Sequence, residues 1–205
     1  MKVLVITGGI GSGKSLVSRK LEGTYGIPVY DADSRVKALY SEFPQMLDAI
    51  ESDLGVCVRD DSGNFVSRKL AEVIFSDNQA LLKVEEIIFP YLKKDFSSWA
   101  DMLGKEVVAF ESATILEKPQ FDGFGDIVLL VDAPKSLRLS RACSRDGLDE
   151  ERILERMDAQ KLMNSLSEGG SCERVDYRIV NDSSLDDLDE KIRDFVEKYG
   201  LTNML

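Results

Sequence analysis

Residues 8 to 15 read Gly8-Gly9-Ile10-Gly11-Ser12-Gly13-Lys14-Ser15 and follow directly on the β-branched apolar run Val3 to Thr7. Ser15 to Tyr25 is built of helix formers and stops at Gly26, so the order is strand, glycine-rich turn, helix. This is a full match to G-x-x-x-x-G-K-[ST] in the context that gives the motif meaning. Glycines let successive backbone N–H groups curl round an anion at a helix start, where unpaired amides and the helix dipole both favour negative charge. Lys14 then reaches the β and γ phosphates of a nucleotide, and the Ser15 hydroxyl ligates the Mg²⁺ that bridges them. The bland alternative is a turn that merely joins strand to helix. Gly9, Ile10, Gly11, Ser12, Gly13, Lys14, Ser15 and Leu16 are the expected nucleotide-binding residues, with ATP and Mg²⁺ as cofactors and Lys14 also catalytic.

The loop does not choose among kinase, GTPase and ATPase, all of which hold phosphates this way. No Asn-Lys-x-Asp string of the kind that reads guanine occurs, which disfavours a guanine switch. Ile127 to Asp132 has two readings. The preferred one is a core strand whose aspartate caps the next helix, ahead of Pro134; the other is a strand whose terminal aspartate holds metal.

Composition narrows the chemistry further. The chain has 205 residues, enough for one domain with a sizeable core and a modest insertion. It contains no histidine and carries a net charge of −11, so acid–base work falls to carboxylates, lysines or water. Such an acidic chain repels nucleic acid and anionic membrane, both polyanions, and neither is expected as a partner. Cys57, Cys143 and Cys172 are widely spaced and odd in number, which favours neither a disulfide framework nor a zinc site. The N-terminal apolar stretch is too short for a signal peptide or a membrane span, so a cytoplasmic location is expected.

Further short apolar runs, Ile27 to Asp31, Val107 to Glu111, Ile127 to Asp132 and Tyr177 to Asn181, are separated by helical patterns. Such runs belong to a parallel sheet covered on both faces, and the class is three-layer α/β. About 75 residues separate the second and third strands, far more than a plain crossover requires. Ser34 to Glu42, Gln45 to Leu54 and Asn78 to Leu103 have helical composition, and Asp60 to Asn64 marks a tight turn between two extended pieces. Residues 34–103 are thus expected to form a helical substrate-side subdomain, inserted into a nucleotide-binding core of 1–33 and 104–205. Leu185 to Tyr199 alternates charge at helical spacing, as a covering helix does.

Asp31-Ala32-Asp33 falls at the carboxyl end of the second strand, on the sheet edge where ligands of open α/β sheets bind. Phosphoryl transfer to an alcohol needs a group that orients the hydroxyl and accepts its proton. Asp33 is the candidate base, with Asp31 on the metal side through a bound water; the competing role for Asp33 is N-cap of a helix starting at Ser34. Glu111 either holds Mg²⁺ or the acceptor, or is solvated at a strand end. Arg138, Arg141, Arg145, Arg152 and Arg156 lie within one stretch, broken into two helices at Gly147. Two readings stand: a lid over residues 138–158 that brings Arg141 and Arg145 over the phosphates, or a salt-bridged surface helix, the latter preferred for Arg152.

Together these strings resemble the dephospho-coenzyme A kinase family over nearly the whole chain. The likeness rests on Thr7-Gly8-Gly9-Ile10-Gly11-Ser12-Gly13-Lys14-Ser15 and Asp31-Ala32-Asp33, and on the stretch from Arg68 to Ile74-Phe75. It continues through Glu111 to Glu117, Arg141 with Arg145-Asp146, Arg156, Gln160, and Asp176-Tyr177 to Asn181. The resemblance implies a five-stranded parallel sheet in the order 2-3-1-4-5 with a helical CoA-side domain and an ATP lid. It implies Asp33 acting on the ribose 3′-hydroxyl of dephospho-CoA, Arg141 and Arg145 in the lid, and the Asn181 segment against adenine. A monomer or small homo-oligomer is expected; the alternatives are another phosphate-loop kinase or a non-catalytic nucleotide-binding homologue. The chain departs from the family pattern at Phe89-Pro90, at Ala113-Thr114-Ile115 and at Asp182-Ser183.

Overall fold

Leu4 and Ile6, both fully buried, sit on the central strand of a five-stranded sheet. That strand, β1 (Lys2–Thr7), pairs in parallel with β3 (Val107–Glu111) on one side and β4 (Ile127–Asp132) on the other. Outside them lie β2 (Val29–Asp31) and β5 (Tyr177–Val180), also parallel, giving the order β2-β3-β1-β4-β5. This is the order the resemblance implies. The computed structural model describes residues 1–201. The chain divides into two compact units, Met1–Asp31 with Gly104–Leu205, and Ala32–Leu103.

In the first unit, alternate strand residues point to opposite faces. One set, Leu4, Ile6, Ala109, Leu129, Val131 and Ile179, packs against Val17 and Leu21 of α1 (Lys14–Tyr25) and Leu188, Ile192, Phe195 and Val196 of α9 (Leu185–Tyr199). α9 is amphipathic, as a covering helix must be: Ser184 caps it by accepting from the Asp187 amide, and its apolar stripe is buried. The other set includes Phe110, which stacks on Tyr30 and meets Phe121 and Phe124 edge-on or tilted. After β4 come α6 (Lys135–Asp146), α7 (Glu150–Asp158) and α8 (Lys161–Ser167). α6 and α7 separate at Gly147 as expected, where φ is 64° and the amide closes on the Cys143 carbonyl.

The second unit is helical: α2 (Ala32–Glu42), α3 (Pro44–Leu54), α4 (Ser67–Ser76) and α5 (Asn78–Leu103), the last packing on the other three. The Arg35 guanidinium ties α2 to α5 through Asp95 (2.8 Å) while also gripping Glu42. The turn Asp60 to Asn64 joins two extended pieces that meet in one antiparallel bridge, Arg59 to Phe65. α4 and α8 were not expected as helices. α4 carries one buried residue, Leu70, with Val73 and Ile74 at helical spacing beyond it.

Candidate active site

The glycine-rich loop runs from Thr7 into α1, whose first turn follows Gly13 at φ 101°, a conformation that favours glycine. A Cβ on Gly13 would collide with the Asn181 side-chain amide. No side chain caps α1, so the positive end of the helix faces whatever the loop surrounds. The Lys14 ammonium lies across the loop, donating to the carbonyl of Gly8 (2.7 Å) and more weakly to that of Gly9 (3.4 Å).

A cavity of about 390 Å³ opens beside this turn. Gly11, Gly13, Lys14, Ser15 and Leu16 line it from the loop, Arg141 and Arg145 from α6, and Asn181, Ser183 and Leu185 from the segment after β5. Gly9, Ile10 and Ser12, also expected at the nucleotide, do not line it. Gly9 and Ile10 are backed onto Arg138 and Gln160, and Ser12 is fully buried. Arg19 joins the lining as a third arginine. Its signal was legible, because it stands four residues beyond Ser15, one turn along the same helix face.

Asn181 does more than border the cavity. Its side-chain nitrogen donates to the Ser12 carbonyl at 2.9 Å, its backbone amide bonds the Asp132 carbonyl at 2.7 Å, and its own carbonyl accepts from Arg141 Nη1 at 3.0 Å. The side chain is 5% exposed, so it faces the loop.

The carboxylates gather at the ends of β2 and β3. Ser15 Oγ donates to Glu111 Oε1 at 2.9 Å, and Glu111 pairs in register with Asp31 on one side and Ile6 on the other. The hydroxyl and two carboxylates are hard oxygen donors at the strand ends nearest the phosphate loop. Mg²⁺ keeps several waters and takes its remaining ligands from phosphates and one or two carboxylates. It therefore needs no cluster of three or more acidic, Cys or His side chains, and among the described residues there is none. The donor set fits Mg²⁺. Asp33 lies in the helical unit, in the first turn of α2, two residues beyond the end of β2. Because α2 begins at Ala32 rather than Ser34, Asp33 sits inside the helix and is not its N-cap.

Two readings of the segment after β4 need correction. Asp132 does not cap α6, whose N-cap position is Pro134 with no side-chain bond. Its carboxylate is 8% exposed and Oδ1 accepts from the Ala133 amide (2.8 Å) and Ser167 Oγ (2.6 Å). Arg138 is not an outward-facing member of the arginine run, being 1% exposed. Burial pulls its guanidinium below the ordinary arginine value, and the Asp132 charge partly opposes that. By contrast Arg145 forks onto Asp146 (2.6 and 3.1 Å), which also accepts from Arg156 at 2.9 Å, tying the end of α6 to α7. The Arg145 hydrogen bonds, followed by those from Arg156, hold the Asp146 carboxyl down at about 2. Arg152 stays exposed beside Asp149 at 3.9 Å, as a surface helix requires.

The dephospho-CoA kinase family model, CoaE, matches residues 2–187. A dephospho-CoA kinase of Porphyromonas gingivalis is 41% identical over 181 residues, covering 88% of this chain and 86% of the relative. One from Fusobacterium nucleatum is 32% identical over 200 residues, covering 96% and 99%. Among solved structures, TT1252 from Thermus thermophilus superposes with a TM-score of 0.79 at 28% identity, covering 96% of this chain and 97% of that one. Dephospho-CoA kinase from Campylobacter jejuni, at 21% identity, a TM-score of 0.65 and 96% coverage of both chains, shares the fold.

Proposed function

This chain belongs to the dephospho-CoA kinase family, and from that premise we propose how its residues divide the work of phosphorylating the ribose 3′-hydroxyl of dephospho-CoA with ATP. The reaction, the last step of coenzyme A synthesis, gives CoA and ADP. The observation that carries the division is the cavity in which Gly11, Gly13, Lys14, Ser15 and Leu16 meet Arg141, Arg145 and Asn181.

The amides at the start of α1 bind the phosphates, and Lys14 exchanges its contacts with the Gly8 and Gly9 carbonyls for β- and γ-phosphate oxygens. Ser15, Glu111 and Asp31 are the residues that would hold Mg²⁺, which when bound neutralises charge on the phosphates. Arg141 and Arg145, in a lid of residues 138–158, cover the γ-phosphate, offset its charge during transfer and exclude water that would waste ATP. As the 3′-oxygen bonds to the γ-phosphorus, the bond to the β,γ-bridging oxygen breaks, and the hydroxyl proton passes to the Asp33 carboxylate. The assignment of Asp33 draws on the family pattern and on its place two residues after Asp31. We assign residues 34–103 to the acceptor side.

No helix among the described residues is long and apolar enough to cross a membrane. The net charge of −11 supports a partner set without nucleic acid or anionic membrane, both polyanions; a cytoplasmic monomer or small homo-oligomer is our proposal. The test is a coupled ADP-release assay with and without dephospho-CoA: ADP release that depends on dephospho-CoA is expected. Release that ignores this acceptor but responds to another alcohol would overturn the substrate.

A further inference from the structure

Arg138 is the first residue of the lid stretch but has no role in the scheme above, and it is among the most buried side chains described, directly behind the phosphate loop. Its Nε donates to the Ile10 carbonyl at 3.0 Å, while Gln160 Oε1 accepts the Ile10 amide at 2.8 Å, so this one residue of the loop is gripped from both sides. Its Nη1 donates to Ser167 Oγ at 2.9 Å, and the Ser167 hydroxyl in turn donates to Asp132 Oδ1 at 2.6 Å. The side chain lies against Gly9 and the backbone carbonyl against Gly11, so closely that a methyl group on either glycine would collide with it.

Burying a guanidinium is costly unless its donors are spent, and an apolar side chain would fill a purely structural position at less expense. Here Nη2 is buried without an acceptor among the described residues. An incompletely neutralised cation stands beneath the loop that must receive a polyanion, on the helix that carries Arg141 and Arg145 one and two turns further along.

We infer that Arg138 is a positioning residue: it clamps the phosphate loop to the base of α6, a fixed anchor from which the lid carrying Arg141 and Arg145 closes, and its charge adds to the loop's attraction for phosphate. This deepens the reading of the loop as the ATP site and rests on it.

The test compares Arg138→Met and Arg138→Lys, measuring ATP dissociation by calorimetry with Mg²⁺ and no acceptor, hydrogen exchange at the Ile10 amide, and kcat and KM in the ADP-release assay. Losing a buried charge-assisted pair should weaken ATP binding by about tenfold to a hundredfold in the methionine variant. Its kcat should fall too. Lysine keeps the charge but cannot bridge Ile10 and Ser167 together, so it should recover only part of the affinity, and Ile10 should exchange faster in both. Folded variants with wild-type ATP affinity and wild-type Ile10 exchange, and only a lower melting temperature, would overturn the clamp. Should Arg138→Met fail to fold, Ser167→Ala removes one anchor with little change in volume and should weaken ATP by about threefold to tenfold; unchanged affinity and exchange there would likewise overturn it. Because the titration contains no acceptor, a failure to turn over dephospho-CoA would sink the substrate assignment while leaving the clamp standing.

Discussion

Replacing Asn181 with alanine removes one hydrogen bond, from the side-chain nitrogen to the Ser12 carbonyl at 2.9 Å, and leaves the residue's two backbone bonds in place. The orphaned carbonyl belongs to a fully buried residue of the phosphate loop, and an unsatisfied buried acceptor costs about 1–3 kcal/mol. If that cost appears as misplacement of the loop, ATP KM should rise by about fivefold to 150-fold. If it appears as lost stability, the melting temperature should drop by about 2–12 °C for a chain of this size. The assay is steady-state kinetics with ATP and GTP, together with thermal melts. A brace on the loop acts on phosphates, so both nucleotides should lose affinity by the same factor; a side chain that reads adenine would lose only ATP. Asn181→Asp sharpens the comparison, because it sets a carboxylate against the Ser12 carbonyl and near the phosphates, and should be worse than alanine. Loss confined to ATP, or an aspartate tolerated better than alanine, would refute the brace.

Asp33→Asn should lower kcat by on the order of a hundredfold with normal ATP binding; near-wild-type kcat at saturating dephospho-CoA would move the base to Asp31 or Glu111. Arg141→Ala and Arg145→Ala should reduce kcat more than ATP affinity, since a closing lid acts mainly in the transition state; variants altered only in thermal stability would return these arginines to a surface role. Asp146 has a folded value near 2, below its unfolded value of about 3.9, so its contribution is complete above that value and is lost as pH falls through about 2. Carboxyl shifts followed by NMR should place its midpoint there, and a midpoint near 4 would mean that the Arg145 and Arg156 contacts are absent in solution.

The elements legible in the sequence are those whose signal is local. Val107–Glu111 and Ile127–Asp132 are bounded by turn or charged residues and read at their observed limits. Asn78–Leu103 was equally clear despite Pro90 within it, because apolar residues such as Val84, Ile88 and Leu92 recur every four residues across the interruption. α8 was missed for the opposite reason: seven residues give fewer than two full turns, too short a window for a period to show.

The phosphate loop could be read because backbone chemistry fixes both its glycines and its lysine, and no distant residue is needed to recognise it. Its supports could not be. Arg138 carries the same spacing and charge as Arg141 and Arg145, and helical periodicity alone groups the three. What separates them is position within the fold: α6 begins directly behind the loop, so its first turn is pressed against Ile10 while its later turns reach the cavity. Asp132 shows the same effect. Its place at a strand end suits a cap or a metal ligand equally well, and its partner Ser167 lies 35 residues away on a helix that the sequence did not announce. A side chain whose role is set by long-range contact carries no local signature. The residues that hold this site in shape therefore emerge only when the sheet brings the ends of β1, β4 and β5 together.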